Sequence, residues 1–86
     1  MKNHIKRNPR TILNKIKWDD SYDIHKLKIS YIHRGAFENI KNTKGEDIKS
    51  INKSFFETDK SIIPFHRILI IKYDNKIIFK RMNYKN

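Results

Sequence analysis

The run Ile68-Leu69-Ile70-Ile71 constrains this chain more than any other stretch, because four consecutive large aliphatic residues have to be buried. They carry the preceding Ile62-Ile63-Pro64-Phe65-His66-Arg67 into the fold with them. Pro64 has no N–H to give a central ladder, so the strand is expected to start, bend or bulge there. Side chains one apart on a regular strand point to opposite faces. His66 and Arg67 can therefore serve one ligand only if the backbone beside Pro64 is irregular. Otherwise one of them faces the site and the other supports the fold.

Around this stretch the chain reads as α+β. Residues 1–7 read as a loose basic arm containing His4. Asn8-Pro9 is a helix start, with Ile12, Leu13 and Ile16 as its apolar stripe, and the helix is expected from Pro9 to about Lys17. Trp18, just past the stripe, is expected to plug the core rather than offer a stacking platform. The segment 19–23 is an acidic turn whose spacing matches no calcium loop. From Ile24 to His33 the residues alternate, with Leu27, Ile29, Tyr31 and His33 on one face and Lys26, Lys28, Ser30 and Ile32 on the other. Gly35 ends that strand. Phe37 to Ile40 reads as a short strand and residues 42–45 as a turn. Ile48, Ile51 and Phe55, three and four apart, favour a second short helix from Glu46 or Asp47 to about Asn52, followed by a short strand with Phe55-Phe56 before a turn over 58–60. Residues 67–73 and 76–82 read as two strands around the hairpin residues Asp74-Asn75. A two-residue loop would align His66, Ile68 and Arg81; a three-residue loop would align Arg67, Leu69 and Arg81. The expected fold is thus one domain over residues 1–86, a mainly antiparallel sheet of about four strands with an N-terminal helix and a second short helix.

Charge decides which partners to consider. The 86 residues carry a net +11, unevenly placed. Residues 1–18 hold six bases and no acids, 19–59 seven bases and eight acids, and 60–86 seven bases and one acid. Two basic ends that meet in space would form one anion-binding face, which favours RNA or another polyanion. The chain has no cysteine, excluding disulfides and cysteine-ligated zinc. Four histidines without close spacing make a poor metal site. There is no glycine-rich phosphate loop, nucleotide fingerprint or nucleophile elbow, so neither a cofactor nor a metal is expected. No apolar run is long enough to span a membrane and no signal-peptide pattern opens the chain, making the cytoplasm the default location.

Two His-Arg pairs, His33-Arg34 and His66-Arg67, each sit beside a residue that breaks regular structure, Gly35 or Pro64. Arginine recognises phosphate with a bidentate fork, and histidine can donate to it. The order Pro9-Arg10, Ile12-Leu13, Trp18, then Tyr31-x-His33-Arg34, then Ile63-Pro64-Phe65-His66-Arg67-Ile68, then an aromatic two residues before Arg81, resembles a known family. It is the small archaeal domain proposed to recognise RNA ends bearing cyclic phosphate, with eukaryotic relatives fused to two-histidine phosphoesterases. Phe79 departs from that pattern, which more usually has tryptophan there, and the residue before Arg34 varies in it. The resemblance implies an RNA-binding module reading a terminal or cyclic phosphate at a 3′ end, alongside RNA-processing or repair enzymes. Arg34, Arg67 and Arg81 would grip the phosphate, with His66 and His33 beside them. Tyr31 or Phe65 would stack a base, while Lys6, Arg7, Arg10 and Lys17 would follow the upstream backbone. A basic structural protein of a ribonucleoprotein ranks second. A metal-independent phosphodiesterase using His33 and His66 as acid and base ranks third.

Overall fold

The computed structural model of the chain describes residues 8–33 and 39–81. The expected arm over 1–7, with His4, Lys6 and Arg7, lies outside the described residues, as do Arg34, Gly35, Phe37 and Met82. The first element begins where its residues dictate. The Asn8 side chain accepts the Thr11 N–H at 2.8 Å and Pro9 occupies the first helical position, opening α1 (Pro9–Trp18). Leu13 and Ile16 are its buried stripe.

Among the described residues seven strands follow, in two sheets. A 3-10 turn (Ile24–Lys26) leads into β1 (Leu27–Ile32), which is followed by β2 (Ile40–Lys44). A 3-10 turn (Gly45–Asp47) then takes the chain to β3 (Ile48–Ile51), β4 (Phe55–Thr58) and β5 (Ile62–Pro64). A last 3-10 turn (Phe65–Arg67) returns it to β6 (Ile68–Tyr73) and β7 (Lys76–Lys80). One sheet has the order β2-β1-β6-β7 and the other β3-β4-β5, with every pairing antiparallel. The smaller sheet is thus inserted between the second and third strands of the larger. The Ile68–Ile71 run sits on a central strand, between β1 and β7, as its apolarity requires.

The core joins α1 to both sheets: Leu13 and Ile16 meet Leu27, Ile29 and Tyr31 of β1, Ile68 and Ile71 of β6, and Ile48, Phe56 and Ile63 of the smaller sheet. Burial of this apolar surface is the main stabilising term. The alternation expected from Ile24 holds from Leu27 onward, with Leu27, Ile29 and Tyr31 inward.

Four expectations need correcting. The sheet of about four strands is accompanied by a second sheet of three. The second short helix is absent: Ile48–Ile51 is a strand, and only the 3-10 turn at Gly45–Asp47 is helical there. A register shift between Ile48 and Ser50 explains the misleading spacing. A bulge adds one residue, so side chains three apart, Ile48 and Ile51, return to the same face. Residues 42–44 belong to β2 rather than to a turn; β2 is an edge strand that buries little, so it lacks apolar alternation. Trp18 does not plug the core: it is 72% exposed, with the Lys17 ammonium 5.3 Å from its ring centre.

The hairpin settles between the two registers. Asp74 and Asn75 both take left-handed φ, 54° and 67°, as in a two-residue turn of the primed type. Tyr73 opposes Lys76 and Lys72 opposes Ile77, but a shift then puts Phe79 opposite Ile71. Arg81 is therefore carried to Leu69, whose carbonyl accepts its backbone N–H at 2.8 Å.

Gly45 fixes the crossover between the sheets. A Cβ there would lie 2.5 Å from Leu27 Cβ and 2.7 Å from the Ile24 carbonyl oxygen. Gly45→Ala is expected to cost about 1–3 kcal/mol, since the buried backbone must shift to admit it. A urea midpoint matching that of the parent chain would refute this account of the crossover.

Candidate functional site

The turn after Pro64 is irregular, as the proline implies. Pro64 (φ −63°, ψ 141°) ends β5 at the edge of the smaller sheet, and the 3-10 turn over Phe65–Arg67 begins at once. Phe65 is anchored inward: its N–H donates to the Ser54 carbonyl at 3.0 Å, and its ring stacks on Phe56 at 6.2 Å between centroids. Arg81 holds the turn from the other side. Its Nε donates to the Ile68 carbonyl at 2.8 Å and its Nη2 to the Phe65 carbonyl at 3.1 Å, spanning the turn's two ends. The same guanidinium lies 5.5 Å from the Phe79 ring centre. Between these anchors His66 is exposed and Arg67 half-buried.

Arg67 borders a small cleft of about 190 Å³ between the end of β1 and β5, where the two sheets part. Tyr31, His33, Ser61 and Pro64 line it with Arg67. Tyr31 is buried, its ring meeting His33 edge-on at 6.3 Å. Burial pushes the Tyr31 hydroxyl above its usual pKa, and a hydrogen bond with Ser61 partly opposes that rise. His33 Nδ1 is buried and has no hydrogen-bond partner among the described residues. Such an atom is normally satisfied, by protein, water or ligand. Ser61 is set in place by Thr58, whose N–H donates to the Ser61 carbonyl at 2.9 Å and whose Oγ1 accepts the Ser61 N–H at 3.1 Å.

The cleft therefore unites Tyr31, His33 and Arg67, while His66, Arg81, Arg10, Lys17 and Phe65 stand outside its lining and Arg34 lies outside the described residues. Arg81 bonds the turn behind it, and His66 faces solvent. The two imidazoles do not share this cavity, and the pairing needed for acid–base work by His33 and His66 is not seen there. Arg10 donates through Nε to the Asn52 carbonyl at 3.1 Å and Lys17 to the Ile48 carbonyl at 3.2 Å, so both tie α1 to the smaller sheet. Phe65, one of the two aromatics expected to stack a base, has its ring in the core. Ser61 was not singled out from the sequence; the only local cue is its position three residues after Thr58, the spacing of a hydroxyl-capped turn. Among the described residues no cluster of histidines and carboxylates is arranged to hold a metal ion, and no helix is long and apolar enough to cross a membrane.

Comparison with known proteins gives a consistent picture. The family model described as the MJ1316 RNA cyclic group end recognition domain matches residues 7–81. A UPF0248 protein of Methanocaldococcus jannaschii is 37% identical over 76 residues, covering 84% of this chain and 91% of its own length. One from Methanococcus maripaludis is 36% identical over 74 residues, 84% of this chain and 96% of its own. One from Archaeoglobus fulgidus is 31% identical over 70 residues, 80% and 99% respectively. No solved structure matches the chain.

Proposed function

The chain belongs to the family of the MJ1316 RNA cyclic group end recognition domain, and on that premise we propose that it binds a phosphate-bearing RNA end, a 2′,3′-cyclic phosphate foremost, in the cleft between β1 and β5. The observation that carries this reading is the convergence on one cleft of the Arg67 side chain, a His33 ring nitrogen left without a partner among the described residues, and the Tyr31 hydroxyl with Ser61. A cyclic phosphate presents two non-bridging oxygens and a single negative charge, which one guanidinium fork can match. His33 and Tyr31 would supply hydrogen bonds at its margin. At about 190 Å³ the cleft is smaller than the pockets that engulf drug-sized ligands, which favours the phosphate and adjoining ribose as its contents, with the terminal base outside. Arg34, next in sequence to His33, would add a second cation. Arg81 acts in this reading by holding the Arg67 turn. In a cell such a module would present marked ends to RNA-processing or repair enzymes.

Titration of matched RNAs ending in 2′,3′-cyclic phosphate, 3′-phosphate or hydroxyl tests the reading. The phosphate-bearing ends are expected to bind about tenfold or more tightly than the hydroxyl, the scale of one hydrogen bond to a charged group. Arg67→Ala is expected to erase most of that preference with little change in stability. Equal affinity of the parent chain for all three ends would refute end recognition.

A further inference from the structure

The outer face of the larger sheet carries charge that the cleft does not use. Lys28 of β1 stands directly opposite Lys44 of β2 on one side and Lys72 of β6 on the other. Three ammonium-bearing side chains thus lie abreast on adjacent strands, about 4.8 Å apart at the backbone. Like charges placed directly opposite destabilise a sheet, so the arrangement works against the isolated fold. All three are exposed, and none joins an ion pair among the described residues. In the neighbouring row on the same face Ser30 Oγ donates to Asn42 Oδ1 at 2.6 Å, Ile70 stands beside Ser30, and Lys80 of β7 lies opposite Ile70.

This face is continuous with the cleft. A second concavity of about 400 Å³ shares Tyr31 and Ser61 with the cleft and reaches Asn42 and Thr43 on the β2 edge. A third, of about 450 Å³, takes up from Asn42 and Thr43 and holds Lys28, Lys44 and Lys72. Lys41 and Lys60 flank the middle part, against Asp47 and Asp59. Asp59 is already paired with Lys49 at 2.8 Å. The path from Arg67 to the lysine row therefore has six basic residues and two acidic ones, one of which is neutralised.

We propose that single-stranded RNA leaves the cleft over the β2 edge and lays its backbone phosphates along Lys44, Lys28 and Lys72. The inference takes its RNA partner from the reading above but does not depend on which end chemistry is read. Among the described residues no aromatic stands beside the lysines on this face, at Ser30, Ile32, Asn42 or Ile70, so the contact is to phosphate rather than to stacked bases. Binding along the path is indifferent to base sequence and grows with RNA length. It also relieves the repulsion within the lysine row.

The test uses the full chain and the variant combining Lys28→Gln, Lys44→Gln and Lys72→Gln. The probes are a 12-nucleotide single-stranded RNA and a dinucleotide with the same 2′,3′-cyclic phosphate end. The parent chain is expected to bind the longer RNA about tenfold or more tightly than the dinucleotide. The variant is expected to lose most of that advantage while binding the dinucleotide within about twofold of the parent. Its dependence of log affinity on log salt should be shallower by about 2, since three lost phosphate contacts contribute about 0.7 each for single strands. An unchanged length advantage and salt slope, or an equal loss for both probes, would overturn the path. A parent chain indifferent to length would do the same. A length advantage that depends on the lysines, in a chain that ignores the end group, would remove the end-recognition reading and leave the path standing.

Discussion

Arg81→Ala is expected to lower stability by about 2–3 kcal/mol and to weaken binding of a phosphate-ended RNA as well. The guanidinium donates to two carbonyls at opposite ends of the Phe65–Arg67 turn, at 2.8 and 3.1 Å. Each is a hydrogen bond from a charged donor in a half-buried setting, a class typically contributing about 1.5–3 kcal/mol, and partial exposure moderates the sum. Their loss frees the turn that carries Arg67, so affinity should fall although Arg81 does not line the cleft. Arg81→Lys keeps the charge but not the planar fork, and should recover only part of either property. Urea unfolding and RNA titration on the same variants separate two roles for this residue. If Arg81 instead held phosphate directly, Arg81→Ala would lose affinity at undiminished stability.

The largest effect on the fold is expected from Phe56→Ala, at about 3–5 kcal/mol. Phe56 has 0% exposure, lies on the middle strand of the smaller sheet and stacks on Phe65. Its ring links the smaller sheet to the residue that anchors the site turn. Truncation leaves a cavity in the core that joins the two sheets. Phe56→Leu fills part of that space and should cost clearly less. A variant with alanine here that melts like the parent would show that the two sheets are joined elsewhere.

Much of this was legible in the sequence because the physics involved is local. Asn8-Pro9, the alternation from Leu27 and the hairpin residues Asp74-Asn75 each act through near neighbours, and each has its expected structure. The break at Pro64 was also readable, since a missing N–H is a property of the residue itself. What was not readable were the bulges. Register shifts in β3 and within the pairing of β1 with β6 let residues three apart, Ile48 with Ile51 and Ile68 with Ile71, point the same way. That spacing is also the signature of a helix, and only the partner strand decides between them. The position of Trp18 was unreadable for another reason. The apolar stripe of α1 ends at Ile16, and nothing in the residue type says whether the next large ring turns in or out. At the site, Arg67 and His33 were named from their flanking breakers, and the cleft has both. Arg81 was recognised as important, but which groups its fork would meet depends on a bulge at the far end of a hairpin.

The insertion of the smaller sheet also shapes how the molecule is made. β1 must find β6 across all of β2 to β5, so the central pairing of the larger sheet is its most distant in sequence. Closing such a long loop has an entropic cost before any contact rewards it. The β3-β4-β5 meander, by contrast, needs only neighbouring strands, and once formed it shortens the loop and brings Pro64 to the junction. On contact-order grounds the meander is expected to form before β1 pairs with β6, with the cleft between the sheets among the last features to take shape. A cleft lined by β1, β5 and the turn before β6 is complete only once that distant pairing has formed.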